Sequence, residues 1–238
     1  MHDVNISLFH LCLEVAQWLL IAALFFMLLR FRSHAKPLEK PTKSESSTYE
    51  SVNSISFLGG FRVVNKDGVD ITSRFTPVLR KLIAALVIHS INDKQGILSE
   101  KIDSLIWGYK PEGTASNNRN VYLSRLRKAL EDVDGVTIST RNLLTTISFA
   151  PHVSCDYVEI MRLYKTDSAI VDVNRLLWLL SKGNPFVNMS ARWQDAFREE
   201  FSVLTASYLS QLLSREDLSS TAREKILALI RNYDKPSI

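Results

Sequence analysis

The chain has little of what metal binding and catalysis draw on. It has 238 residues and two cysteines, Cys12 and Cys155, which lie far apart. That excludes a disulfide framework and a cysteine-based metal set. Five histidines are present, and no pair of Cys/His clusters has zinc-ligand spacing. His34, His89 and His152 have no Ser or Cys nucleophile motif beside them, and the eight glycines form no phosphate-binding loop. Gly59-Gly60 sits inside a strand pattern, where a bulge is the usual explanation. Paired carboxylates such as Glu199-Glu200 read as ordinary helix surface. The expectation is a protein that is not an enzyme and needs no metal and no cofactor.

A large charge of one sign is also missing, but the small excess is concentrated. The formal net charge is +4. Residues 1–54 carry five Lys/Arg against five Asp/Glu, and residues 150–238 carry eleven of each. Residues 55–149 carry thirteen against nine, which is the whole excess. A basic middle is where nucleic acid would bind. The length allows one or two domains plus accessory segments.

What is there begins with a long apolar run. Leu8–Leu29 contains only His10, Glu14 and Gln17 as strongly polar residues in 22 positions, enough for a helix to cross roughly 30 Å of hydrocarbon. Asp3 precedes the run, while Arg30, Arg32, Lys36, Lys40 and Lys43 follow it, the reverse of a signal peptide. The positive-inside rule then gives one span in the cell inner (cytoplasmic) membrane, N-terminus outside and everything after Arg30 cytoplasmic. A buried core helix is the competing reading, and the one-sided basic cluster argues against it. His10, Glu14 and Gln17 form one stripe at i, i+4, i+7, which either pairs with another helix or lies near the outer interface. Residues 33–54, rich in Ser with Pro37 and Pro41 among alternating charges, read as a flexible linker.

The centre of the chain is the helix predicted over 115–132, ASNNRNVYLSRLRKALED. Leu123, Leu126 and Leu130 share one face. The opposite face carries Asn117, Val121, Ser124, Arg125 and Lys128. Asn and Arg are the side chains that pair with adenine and guanine edges. Thr114, Ser116, Asn117 and Asn118 supply N-cap candidates. Before this helix, ISFLGGFRVV, the turn Asn65-Lys66-Asp67-Gly68 and VDIT read as a β-hairpin. Thr76–Ser90 reads as an apolar helix with Thr76 as cap and Pro77 at the first position. Ser99–Gly108 reads as a second helix capped by Ser99 and closed by Gly108, with Ile102, Leu105 and Ile106 inward and Trp107 on the core edge. After the central helix, Gly135–Phe149 reads as two strands around Thr140–Asn142.

The order hairpin, three helices, hairpin resembles the winged helix-turn-helix domain of OmpR/PhoB-type regulators, and more closely that of the Streptomyces antibiotic regulatory proteins. The residues that carry the resemblance are Phe57–Val63, Lys66–Gly68, Leu82–Val87, Leu98–Trp107 and Asn117–Leu130. It covers about 95 residues. It implies an α+β winged helix over 55–150 whose third helix enters the major groove while the hairpin wing touches an adjacent groove or phosphates. On that reading double-stranded DNA is met by Asn117, Asn118, Arg119, Val121, Tyr122, Ser124, Arg125 and Lys128 from the helix and by Arg141 and Asn142 from the wing. Two departures stand out. The wing lacks the Arg-Gly-x-Gly-Tyr ending of the OmpR type. Arg119 occupies a position usually apolar, so that it either snorkels to a phosphate or marks a rotated helix.

Residues 151–238 read as an all-α tail of four helical segments, in which Asp156–Leu163, Leu176–Phe186 and Arg192–Phe201 resemble the start of the helical-repeat (bacterial transcriptional activation) domain of the same regulators. The tail is short for a free-standing repeat array, and its Trp and Phe residues read as core. The functional expectation is a membrane-tethered bacterial transcription regulator. Its expected partners are double-stranded DNA, the membrane through residues 8–29, a homodimer mate or sensor protein, and RNA polymerase. The alternative from another class is a membrane-anchored interaction module whose winged helix no longer binds DNA.

Overall fold

A computed structural model of the chain describes residues 52–92, 96–108, 114–189 and 192–233. The expected membrane span, its His10/Glu14/Gln17 stripe and nearly all of the linker lie outside the described residues. Among the described residues no helix is long and apolar enough to cross a membrane. Residues 51–238 make one compact unit of mixed α+β structure.

The unit is built around a helix whose middle is apolar on every side. In α1 (Pro77–Asn92) the run Leu82–Ile88 is at most 1% exposed at each position. A helix without a polar face has to be enclosed, and every neighbouring element packs toward it. Pro77 opens it as expected. The next helix, α2 (Ser99–Trp107), closes at Gly108 with φ +68°, but its N-cap is Leu98 and not Ser99. Ser99 is instead the first helical residue, buried, and its amide donates to the carbonyl of Leu143. The central helix is α3 (Thr114–Ala129). It starts early enough that Ser116, Asn117 and Asn118 lie inside it rather than capping it. Leu123, Leu126 and Leu130 are all buried.

The first hairpin forms elsewhere than the turn residues indicated. Strands β1 (Ser54–Ser56) and β2 (Arg62–Val64) pair antiparallel around Gly59-Gly60. The expected bulge is therefore the hairpin loop itself. Gly59 has φ +69°, and a Cβ there would come within 1.9 Å of the Lys182 carbonyl oxygen. Asn65-Lys66-Asp67-Gly68 still turns the chain, with the Asn65 side chain accepting from the Asp67 and Val69 amides. Beyond that turn the chain makes one isolated bridge at Asp70 and a 3-10 turn over Thr72–Arg74, not the second strand expected of VDIT.

Two small sheets complete the unit. A two-residue strand that sequence patterning missed, β3 (Ile97–Leu98), joins the second hairpin β4 (Val136–Arg141) and β5 (Leu144–Phe149) in the order β3-β5-β4. The other sheet has the order β2-β1-β6, where β6 (Ser154–Cys155) runs parallel to β1. Four helices complete the chain: α4 (Asp156–Leu163), α5 (Val173–Ser181), α6 (Arg192–Leu212) and α7 (Ser220–Tyr233).

The 55–150 and 151–238 segments share one core. Phe186 from the tail lies 5.2 Å ring to ring from both Phe57 and Tyr157. The Asp156 carboxylate accepts from the Phe57 amide at 2.8 Å and the Leu58 amide at 3.3 Å. Burial pushes that carboxyl up, against the pull of those amides and of Lys182 Nζ at 3.8 Å.

Candidate nucleic-acid interface

The leucine face of α3 fixes which residues point out. With Leu123, Leu126, Ala129 and Leu130 turned inward, Asn117, Val121, Ser124, Arg125 and Lys128 all lie on the exposed side. Val121 is 47% exposed, an apolar residue in a polar face. Tyr122 is half-buried and packs on Trp107 of α2, ring centroids 5.7 Å apart. The Arg125 guanidinium lies over the Tyr122 ring at 5.2 Å, which orders a long cation while leaving its edge to solvent. Asn118 is only partly exposed, at the flank of this face.

Arg119 points the other way. It is one turn before Leu123 and therefore on the inner side. Its guanidinium pairs with Asp103 of α2, donates to the Ser99 carbonyl at 3.3 Å and to the Ser116 hydroxyl at 3.0 Å. The two side chains of the ion pair are 12% and 18% exposed. Burial pushes the Asp103 carboxyl up, and Arg119 opposes that. A cation on an apolar stripe has to find a carboxylate or reach water, and here it finds the carboxylate. Of the two readings weighed for Arg119, snorkelling or a rotated helix, the geometry matches neither. The helix keeps its register, and the charge is neutralised inside the α2–α3 corner. Its signal was present in the sequence: a charge in register with Leu123, Leu126 and Leu130.

The second hairpin stands beside α3 and is tied to it. Arg127 Nε of α3 donates to the Ile138 carbonyl of β4 at 3.2 Å. The strands pair in register from Val136↔Phe149 to Arg141↔Leu144. Hydroxyl pairs Ser139/Thr146 and Thr140/Thr145 lie across the ladder. The turn is Asn142-Leu143, both at positive φ (+49° and +64°), the backbone of a two-residue type I′ hairpin. The apex is thus one residue later than the sequence placed it, with Arg141 closing β4. Arg141, Asn142 and Leu143 are all exposed. The Ser99 amide reaches the Leu143 carbonyl at 2.8 Å, so the hairpin tip is anchored to the start of α2. Gly96 makes the approach to β3 feasible: a Cβ there would lie 2.5 Å from the Thr145 carbonyl oxygen.

The charges divide by use. Around this corner Arg74 pairs with Asp132 and His152 with Asp134. Arg125, Lys128 and Arg141 are exposed, and among the described residues no carboxylate pairs with them. Among the same residues no group of three or more His, Cys, Asp or Glu could hold a metal ion. One exposed face therefore presents an amide, a hydroxyl, two cations and an exposed methyl pair, with a further cation and amide on the adjoining hairpin tip.

No family model matches the chain, and no curated protein matches it. Among solved structures it is similar to Mycobacterium tuberculosis EmbR in complex with a low affinity phosphopeptide, at 16% identity over 76% of this chain and 54% of that one, with a TM-score of 0.47. The chain spans about half the length of that protein. At this identity and score the likeness decides nothing about the site.

Proposed function

We propose that the chain is a membrane-tethered transcription regulator that holds double-stranded DNA between α3 and the hairpin 135–149, a winged helix of the OmpR/PhoB type. The observation that carries this reading is the outward face Asn117, Val121, Ser124, Arg125 and Lys128, rigidly backed by buried leucines and set beside an anchored wing. Asn117 can both donate to and accept from an adenine edge, Arg125 can donate twice to a guanine edge, and Val121 suits a thymine methyl. Lys128 supplies phosphate charge neutralisation, and Arg141 at the wing tip meets phosphate or the minor groove. Arg119 serves the reading from within, as the residue that sets α3 against α2. Residues 8–29 supply the membrane anchor and leave the DNA-binding unit in the cytoplasm.

The full chain, incubated with a pool of random duplexes, should enrich one sequence family. A cytoplasm-specific reporter fused after Ile238 should be active. A second reading is an interaction module that docks a protein through its tail, where Ile170 and Val203 are 76% and 67% exposed. It becomes the better one if no sequence is enriched and the chain retains no duplex at low salt.

A further inference from the structure

Leu143 stands at the second position of the wing turn with φ +64°. That conformation brings a side chain's Cβ against its own backbone, and Gly or Asn is the ordinary occupant. The preceding position follows the rule with Asn142. Leu143 breaks it, and the fold gains little packing in return, because the residue is 65% exposed. Its carbonyl does have a structural task, accepting from the Ser99 amide. Any residue supplies a carbonyl, so that bond does not account for the leucine side chain. A strained backbone position is a lead to function, and at this one the side chain stands free to meet a ligand.

The neighbours say what it meets. Arg141 and Asn142, both exposed, flank it at the tip, and the tip is anchored to α2, which in turn is clamped to α3 through Arg119 and Asp103. An apolar wedge beside an arginine and an amide is the chemistry of a minor-groove contact. The cation seeks the groove's negative potential, the amide reads the A·T acceptors, and the apolar side chain presses into a base step. We infer that Leu143 is a minor-groove wedge that partly unstacks one flexible pyrimidine–purine step and makes that step's deformability part of the protein's specificity. The inference rests on the DNA-binding reading.

The test uses the full chain and the duplex it selects from a random pool, with 2-aminopurine placed in turn at each step next to the major-groove site. The parent chain should raise 2-aminopurine fluorescence at one step and shift a circularly permuted fragment as a bend. Leu143→Gly and Leu143→Ser should abolish both signals and bind that duplex about tenfold more weakly, the size of one mismatched groove position. Leu143→Gly should melt no lower than the parent, since glycine relieves the positive φ. Leu143→Met, apolar and of similar size, should retain the signals. Binding and fluorescence equal to the parent's in the Gly and Ser variants would overturn the wedge while leaving the regulator reading intact. A parent chain that binds no duplex would instead overturn that reading and the wedge with it.

Discussion

At the scale of single residues, the unit separates cations that hold the fold from cations left exposed. Arg119 and Arg125 lie six positions apart in one helix and do opposite work. Only Arg119 falls in register with the buried leucines, and Asp103 receives it. Removing it strands a half-buried carboxylate. Arg119→Ala should therefore cost about 2–4 kcal/mol in urea unfolding. Arg119→Lys should lie between that variant and the parent, because an ammonium cannot reproduce the fork that reaches Asp103, Ser99 and Ser116 together. Adding Asp103→Asn to Arg119→Ala should recover much of the loss, and no recovery would count against the pair. Asp70 gives a pH signature. Hydrogen bonds from the Thr72 hydroxyl and amide and from the Arg62 guanidinium lower its carboxyl from 3.8 to about 2. A depressed carboxylate stabilises the fold above its ordinary range, and that stability is lost as pH falls from 3.8 through about 2. In Asp70→Asn the acid limb of a melting-temperature profile should be flatter over that window and unchanged in shape above it. An identical acid limb would remove Asp70 from the account. The exposed cations were legible in the sequence. Arg119's partner was not, because nothing in one helix's pattern names a carboxylate on another.

At the scale of elements, helices were read more accurately than hairpins. A 3.6-residue period leaves little freedom, so the existence of α1 and α2 and the leucine face of α3 came directly from it. Pro77 marked the start of α1, while the start of α2 fell one residue earlier than its cap signal placed it. The short strands did not. Gly59-Gly60 looked like a bulge because the apolar run continues through it. What decides its conformation is the tail, whose Lys182 carbonyl occupies the space that a side chain would need. β3 is only two residues long and exists because β5 offers an edge. Neither fact is local in sequence. The two glycines at nearly the same φ make a controlled comparison. Gly108→Ala, with no described residue within 4 Å of the added Cβ, should cost about 1–2 kcal/mol from its backbone conformation alone, φ +68° with ψ −169°. Gly59→Ala meets a backbone carbonyl at 1.9 Å and should cost about 2–4 kcal/mol, since backbone on both sides must move. Equal losses in chemical denaturation would mean that the tail does not press on the hairpin.

At the scale of the whole molecule, the continuous core makes the tail part of the support of the 55–150 segment. β6 pairs with β1, Asp156 holds the hairpin amides, and Phe186 completes the aromatic cluster around Phe57. Composition alone marked a change of character near residue 150 without showing this interlocking, because the joining contacts are between residues about 100 positions apart. The membrane anchor adds a proposed location, and the charge excess of the middle segment adds long-range attraction to a polyanion. The central claim is that the outer face of α3 reads bases while the wing grips the backbone or minor groove. The most direct measurement is binding of the full chain, and of its Arg125→Ala and Arg141→Ala variants, to the selected and to random duplexes over a salt series. Arg125→Ala should lose about 1–3 kcal/mol on the selected duplex and little on random ones. Arg141→Ala should weaken binding to both alike, with the slope of log K against log salt smaller in magnitude by about one. Both variants should melt with the parent. If instead both bind every duplex as the parent does at every salt concentration, this face does not touch DNA and the regulator account is contradicted.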